Sequence, residues 1–357
     1  MVTVKTRPSK IRLLTIIGVI VCLFLGTEAE AQRNRKYKRK FRRSSSRTSR
    51  YTGNVSRLTR VKNYYTLGAS INSLNYFGDL APQTSLGADF SFTRPGFGLS
   101  MSYRLGSALS LKAELMYGRI QGDDNVTANP EGDDSGELGR YQRNLHFRND
   151  IIEFSIVGRY DVFPNYDNAA RRASFTPYIY AGIAPFYHSP KAKVSEQSQL
   201  DQAGQWVALQ PLGLEGQNSN RYEVDPYSRV AFAIPAGIGF RMTLAGTLDL
   251  EIEFGYRFPF TDYLDDVSQT YVDPGIFDDP LARELFDRTL ERTAAVTGND
   301  RSQFLPGAQT HISEVDPELP PYQSGVGYES PIRGNADNND LYLVTAIRLR
   351  YIIPSLF

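Results

Sequence analysis

The feature that most constrains this chain is a strict two-residue alternation, sustained over stretches much longer than ordinary strands. Between 228 and 242, Val230, Phe232, Ile234, Ala236, Ile238, Phe240 and Met242 point one way, and Arg229, Ala231, Ala233, Pro235, Gly237, Gly239 and Arg241 the other. Residues 248–260 set Leu248, Leu250, Ile252, Phe254, Tyr256, Phe258 and Phe260 against Asp249, Glu251, Glu253, Gly255 and Arg257. The same pattern runs through 97–105 and 109–117. A period of two belongs to β-strands. Strands in globular proteins average about 5–6 residues, whereas a tilted strand that crosses a bilayer needs about 9–11. The longer alternating runs exceed both lengths.

One face of each run is uniformly large and apolar, and the other mixes Gly, Ala, Ser and charge. A β-sandwich would bury the large face in a core. A membrane barrel turns it to lipid and keeps the small and charged face inside. Strand length and aromatics near strand ends (Tyr103, Tyr117, Tyr256, Phe260) favour the barrel. Eight strands are predicted, at about 64–76, 97–105, 108–120, 144–163, 175–188, 228–243, 248–260 and 340–353. Long connections at 77–96, 121–143, 189–227 and 261–339 alternate with short ones at 106–107, 164–174 and 244–247. The expected fold is therefore all-β: an eight-stranded antiparallel transmembrane β-barrel of the outer-membrane type with long outer loops. Short turns and both termini belong on the periplasmic side. Residues 86–93 also alternate and could extend a hairpin beyond the membrane. The final strand ends on Tyr351, Ile353 and Phe357, an alternating segment with a terminal aromatic of the kind barrels present for insertion.

The ends of the chain fit an exported protein. Lys5, Arg7, Lys10 and Arg12 precede the apolar run Leu13–Gly26, and Ala29-Glu30-Ala31 reads as a cleavage site, so residues 1–31 are expected to be a signal peptide. The single cysteine, Cys22, lies inside that run, which leaves no disulfide framework for the mature chain; Val21 before it argues against lipidation. Residues 32–62 then form a basic tail, expected to be disordered and periplasmic, ahead of the barrel at 63–357. Residues 1–62 hold 17 Lys+Arg and two acids, so the rest of the chain carries 23 basic against 37 acidic side chains. The tail suits an acidic partner or anionic headgroups; nucleic acid is not expected for an exported chain.

No catalytic, cofactor or metal site is expected. Lys112, Glu114, Glu153, Arg159, Glu251, Glu253, Arg257, Arg348 and Arg350 fall on the inward face, where charges must pair. An eight-stranded barrel is just filled by its side chains, so a salt-bridged plug is expected, not a pore. Glu251 and Glu253 share a face and are expected to repel unless Arg257 or an arginine of another strand compensates. A lipid-modifying enzyme would require His146 or His188 beside an acid and Ser189; Asp150 shares a face with His146 but about 13 Å away. The acid pairs Asp123-Asp124, Asp133-Asp134 and Asp265-Asp266 lack the ligand spacing of a calcium loop and are expected to be solvated. Asp79 is expected to build a turn with Gly78 and Pro82. In the loop 261–339, Asp279-Pro280 followed by Leu281, Leu285 and Arg288 predicts a short capped helix.

The segments LNYFGDLAP (74–82), RPGFGLSMSYR (94–104), RNLHFRNDIIEFS (143–155), PYIYAGIAPFYHSPKA (177–192), LQPLGLEGQ (209–217), IPAGIGF (234–240) and FTDYLDDVS (260–268) resemble the PorG-like outer-membrane barrels of Bacteroidota. That resemblance spans the barrel from 64 to 273 in order, with YFGDLAP and TDYLDDVS its most specific parts. It implies a non-enzymatic component of the type IX secretion machinery, associated with a periplasmic ring of the lipoprotein PorK and its partner PorN. The family has no established catalytic residues to transfer. The expected partner contacts are Arg39, Lys40, Arg42 and Arg43 of the tail with Arg171 and Arg172 of the 164–174 turn, alongside outer-membrane lipids, with no cofactor and no small-molecule substrate. The other readings are a lipid-modifying enzyme, a small-solute channel and a surface binding barrel.

Overall fold

A computed structural model describes residues 63–81, 92–131, 135–165, 169, 172–325, 332–336 and 339–353. The expected signal segment, the basic tail with Arg39, Lys40, Arg42 and Arg43, and Pro82, Arg171, Asp133-Asp134, Phe357 and residues 86–91 lie outside them.

Eight long strands form the wall: β1 (Tyr65–Phe77), β2 (Arg94–Arg104), β3 (Leu109–Asp123), β4 (His146–Asp161), β5 (Phe175–Tyr187), β8 (Val230–Thr243), β9 (Leu248–Pro259) and β12 (Leu341–Ile353). Each stands within three residues of the bounds the alternation predicts. Antiparallel pairing runs β3-β2-β1-β12-β9-β8-β5-β4, and β3 pairs with β4 to close the ring. The first and last strands meet over their whole length, from Tyr65 opposite Ile353 to Phe77 opposite Leu341. Closure leaves none of these eight strands with an open edge.

The two faces are inverted relative to a water-soluble sheet. Outward Leu99 is 67% exposed and Ile71 66%, whereas inward Glu251 is 0% and Arg159 1% exposed. Removing one such apolar side chain from water is worth about 1.5–3 kcal/mol, so leaving roughly two dozen in water would cost tens of kcal/mol. That exceeds the whole stability of a typical domain, about 5–15 kcal/mol. The wall therefore requires an apolar solvent, and the architecture is a closed eight-stranded antiparallel β-barrel of the transmembrane type. Glycine permits the filling of its interior. The Tyr178 ring lies where a Cβ on Gly239 would stand, and the Tyr180 hydroxyl where one on Gly255 would stand.

Beyond the long-loop end the chain builds a cap. It holds the short strands β6 (Pro190–Lys193), β7 (Trp206–Ala208), β10 (Gln309–His311) and β11 (Tyr322–Ser324), with helices α1 (Asp124–Thr127), α2 (Ser135–Arg143) and α3 (Pro280–Phe286). β6 pairs with the upper end of β4, and β7 with β6, so the wall continues upward on that side. α3 forms as Asp279-Pro280 predicts: Asp279 accepts the Leu281 N–H at 2.9 Å, and Leu281, Leu285 and Phe286 are buried. They pack with Val194, Leu209, Leu214, Val272 and Phe277 in an apolar core separate from the barrel.

The expectation that the paired loop acids are solvated is corrected for two of the three pairs. Asp123, Asp124, Asp265 and Asp266 are all buried. Long loops leave backbone N–H groups that no ladder satisfies, and buried carboxylates accept them. Asp123 takes the Asn125 N–H, Asp124 the Leu145 N–H and Asp265 the Val267 N–H. Asp79 does more than shape its turn: the Ala81 N–H donates to the Gly78 carbonyl there, but the Asp79 carboxylate accepts the Asn335 N–H at 2.6 Å, from a distant loop.

Candidate functional site

The inward charges predicted from sequence meet in one network. At its centre Lys112 contacts Glu114 at 2.7 Å and Glu253 at 2.8 Å, and Arg348 contacts Glu253 at 2.7 Å and also pairs with Glu114. Arg159 pairs with Glu251, as does Arg350 at 3.1 Å. Glu251 and Glu253 coexist on one face because arginines of other strands, Arg159 and Arg348, reach both, while Arg257 is taken up by Glu153. The Tyr178 hydroxyl donates to Glu253 at 2.9 Å, while the Arg159 guanidinium lies 4.4 Å from the centre of the Tyr178 ring. These side chains come from β3, β4, β5, β9 and β12, so the network cross-braces most of the barrel.

Further layers close both ends. Toward the short turns, Asp161 binds Arg104 and Arg241, and Asp249 binds Arg350 at 2.7 Å and Arg172 at 2.8 Å. Toward the cap, Glu153 holds Arg257 and accepts the Tyr342 hydroxyl at 2.8 Å. Above it Leu74, Met116, Ile120, Phe147, Ile151, Phe186 and Val344 form an apolar layer across the lumen. A buried charge is costly unless paired, and each of these cations and carboxylates has an opposite charge within 4 Å. Chemically it is a brace: among the described residues every charge at its centre stands beside an opposite one.

A junction of acids joins barrel to cap. The Tyr76 oxygen lies 2.6 Å from Asp265 and 2.7 Å from Asp340. One hydroxyl proton faces two carboxylates, an arrangement that favours protonation of an aspartate. Burial pushes both carboxyls well above their usual range, and it pushes Asp262 up to about 7. Nearby, burial also pushes Asp266 up to about 7, although Arg333 opposes it; Arg333 is held at 2.7 Å by Glu215. Sequence reading missed this junction. Its members are separated by 189 and 264 residues from Tyr76, and no local period marks such a contact.

The histidines do not assemble a hydrolytic site. His146 accepts the Lys193 N–H at 2.9 Å and lies against Trp206 and Arg288. Asp150 shares its face, as the spacing implies, but is engaged by Arg119 at 2.6 Å and by the Tyr117 hydroxyl at 3.2 Å. His188 meets the Ser228 carbonyl at 3.0 Å and stacks on Tyr227, and burial lowers it to about 4, so it is neutral at pH 7. Tyr187 lies opposite Ile152 and Lys191 opposite Arg148, which sets the two histidines about five residues apart along β4, roughly 16 Å. The Ser189 N–H donates to Asn149. His311 stands in β10 against Tyr322.

Of the predicted partner contacts, Arg172 is described. Its guanidinium is buried against the neighbouring turn, donating to the Ala245 and Gly246 carbonyls at 3.0 and 2.8 Å as well as to Asp249. In β12, Tyr351 faces outward and is exposed, paired with Leu67 and Leu248; Ile353 pairs with Tyr65.

A family model described as a domain of unknown function, DUF6089, matches residues 55–223, from ahead of β1 to beyond β7. No curated protein matches. Among solved structures the chain is similar to Neisserial surface protein A, at 9% identity and a TM-score of 0.32, covering 80% of this chain and 96% of that one. It is similar to a major outer membrane protein from Thermus thermophilus, at 11% identity and 0.35, covering 81% and 99%. OprG of Pseudomonas aeruginosa gives 8% and 0.32, covering 83% and 98%. The architecture rests on the strand pairing itself, not on these likenesses.

Proposed function

We propose that this chain is an exported outer-membrane barrel acting as a non-enzymatic structural component of the type IX protein secretion machinery. The observation that carries the structural role is the lumen, filled by paired charges from Arg104 to Glu153 and closed by an apolar layer. Such an interior suits an anchor, and the machinery it serves is inferred from the PorG-like segments along the barrel. In this reading the short turns and both chain ends are periplasmic. The basic tail, with Arg39, Lys40, Arg42 and Arg43, and Arg171 beside it in function, meets an acidic face of a ring lipoprotein of the PorK and PorN type. Arg172 serves the barrel's own turns. Tyr351, Ile353 and Phe357 present the final strand for insertion.

Affinity capture of the tagged mature chain from mildly solubilised outer membranes, with mass spectrometry of what accompanies it, tests this. The expected result is recovery of ring lipoproteins, weakening as salt rises through the range where Debye screening shortens to a few ångströms. Deletion of residues 33–62 should abolish recovery while the barrel still inserts. Capture of the barrel alone, with secretion normal in a deletion strain, would contradict the role.

A further inference from the structure

Where the wall rises above its apolar band on the β3–β4–β6 side, the outward face changes character. The last exposed apolar positions there are Tyr117, Ile152 and Tyr187. Directly above, Arg119 pairs with Asp150 across β3 and β4, Gln121 lies opposite Arg148, and Lys191 lies opposite Arg148 on β6. Arg94 reaches this group from β2, donating its Nε to the Gln121 side chain at 2.8 Å. Arg119 and Arg148 stand two residues apart in the β3–β4 register, and Arg94 bonds the residue opposite Arg148, so these are like charges held close together. Asp150 is the carboxylate among them, and it accepts from Arg119 at 2.6 Å and from the Tyr117 hydroxyl at 3.2 Å. Arg148 is held differently: its guanidinium lies 4.1 Å from the centre of the Trp206 ring, with a buried Nε that makes no hydrogen bond among the described residues.

Cations that repel one another are not gathered for stability, and here three of them are oriented. Arg119 is aimed through its Nε by Asp150, Arg94 through its Nε by Gln121, and Arg148 by stacking on Trp206. The tyrosines below mark the depth at which aromatic side chains meet headgroups. Guanidinium groups fit phosphate oxygens in a planar, two-point geometry.

We propose that Arg119, Arg148 and Lys191, with Arg94 beside them, form a binding site for the phosphate of an anionic lipid headgroup in the leaflet at the cap end of the barrel. The site rests on the reading of the chain as a membrane barrel. Its ligand is a lipid, held with its acyl chains along Tyr117, Ile152 and Tyr187.

Trp206 supplies the readout, since it is the chain's single tryptophan and stacks on Arg148. The mature chain is inserted in phosphatidylcholine vesicles, with insertion scored by flotation and heat-dependent gel migration. Its emission is then followed as phosphatidylglycerol replaces part of the phosphatidylcholine. The expected result is a saturable shift in Trp206 emission with phosphatidylglycerol, absent with phosphatidylcholine alone. Arg119→Gln with Lys191→Gln should weaken it by roughly tenfold or more. Both replacements leave the Arg148–Trp206 stack in place, so the reporter survives. Inorganic phosphate at millimolar concentration should produce no comparable shift; if it reproduces the full response, the ligand is a soluble phosphate and the lipid assignment is overturned. An inserted barrel that responds equally to both lipids, or a double variant that binds like the parent, overturns the site alone. Failure to insert overturns the membrane reading and the site with it.

Discussion

The barrel and its cap solve the problem of burial in opposite ways. In the barrel, charge is inside and hydrocarbon outside: Lys112, Glu114, Arg159, Glu253 and Arg348 form the centre, while Leu99, Ile71 and Phe97 cover the wall. In the cap the order is that of a water-soluble domain, with Val194, Leu214, Leu285 and Phe286 inside. The difference follows from the solvent each meets. Lipid gives no hydrophobic drive to sequester leucine, so what holds the barrel is backbone pairing and the ionic brace within it. Water restores that drive above the membrane, and the loops fold around an apolar core. The transition passes through the apolar layer at Leu74 and Phe147 and the acid junction around Tyr76.

The largest loss is expected when one charge is removed from the brace. Glu253→Ala leaves Lys112 and Arg348 short of a carboxylate in a buried site, and should destabilise the barrel by about 3–5 kcal/mol. Urea unfolding from vesicles would read it; a loss below about 1 kcal/mol would show that the brace does not hold the barrel. In the cap the matching change is Leu285→Ala, expected to cost about 2–5 kcal/mol through lost packing and a cavity. Limited proteolysis should then cut the cap while heat-dependent migration of the barrel stays unchanged. Loss of both together would show that the two regions are one cooperative unit. A smaller effect is expected at Gly255→Ala, about 1–3 kcal/mol, because the new Cβ meets the Tyr180 hydroxyl.

The junction between the regions should respond to pH. Asp262 and Asp266 sit near 7 in the folded chain against about 3.8 in the unfolded one, so the folded state binds the extra proton. Their contribution is full below about 3.8, declines through the interval and is lost as pH rises through about 7. Hydrogen exchange over residues 262–269, corrected for its intrinsic pH dependence, should accelerate as pH is raised from about 5 to about 8, and Asp266→Asn should flatten that rise. The smallest effect is expected at Asn72, whose buried amide makes no hydrogen bond to the described residues. Asn72→Leu should leave barrel stability within about 1 kcal/mol of the parent, since no partner is abandoned.

How much of this is legible in the sequence also divides by region. A strand's two-residue period reports its solvent on each face, so Phe97 to Leu105 and Leu248 to Phe260 reveal both the strand and the inversion. The inward charges could be named because parity alone assigns them. Their pairing partners could not, since Lys112 and Glu253 are brought together by register across the lumen. In the cap the Asp279-Pro280 signal found α3, because helix capping is local. Asp265 and Asp340 meet on the Tyr76 hydroxyl and Glu215 meets Arg333, all from distant loops, and charge in a loop reads as solvated until the loop is folded. The histidines are a simpler case: strand spacing alone already set Asp150 about 13 Å from His146, and the pairing of β4 with β5 and β6 keeps His146 and His188 apart as well.

Single-channel recording of the chain in planar bilayers probes the ionic filling of the lumen without intermediaries. A lumen filled by paired charge should leave the membrane silent at neutral pH, with conductance appearing only when the network is broken, as in Glu253→Ala. Regular unitary steps from the unmodified protein would contradict it.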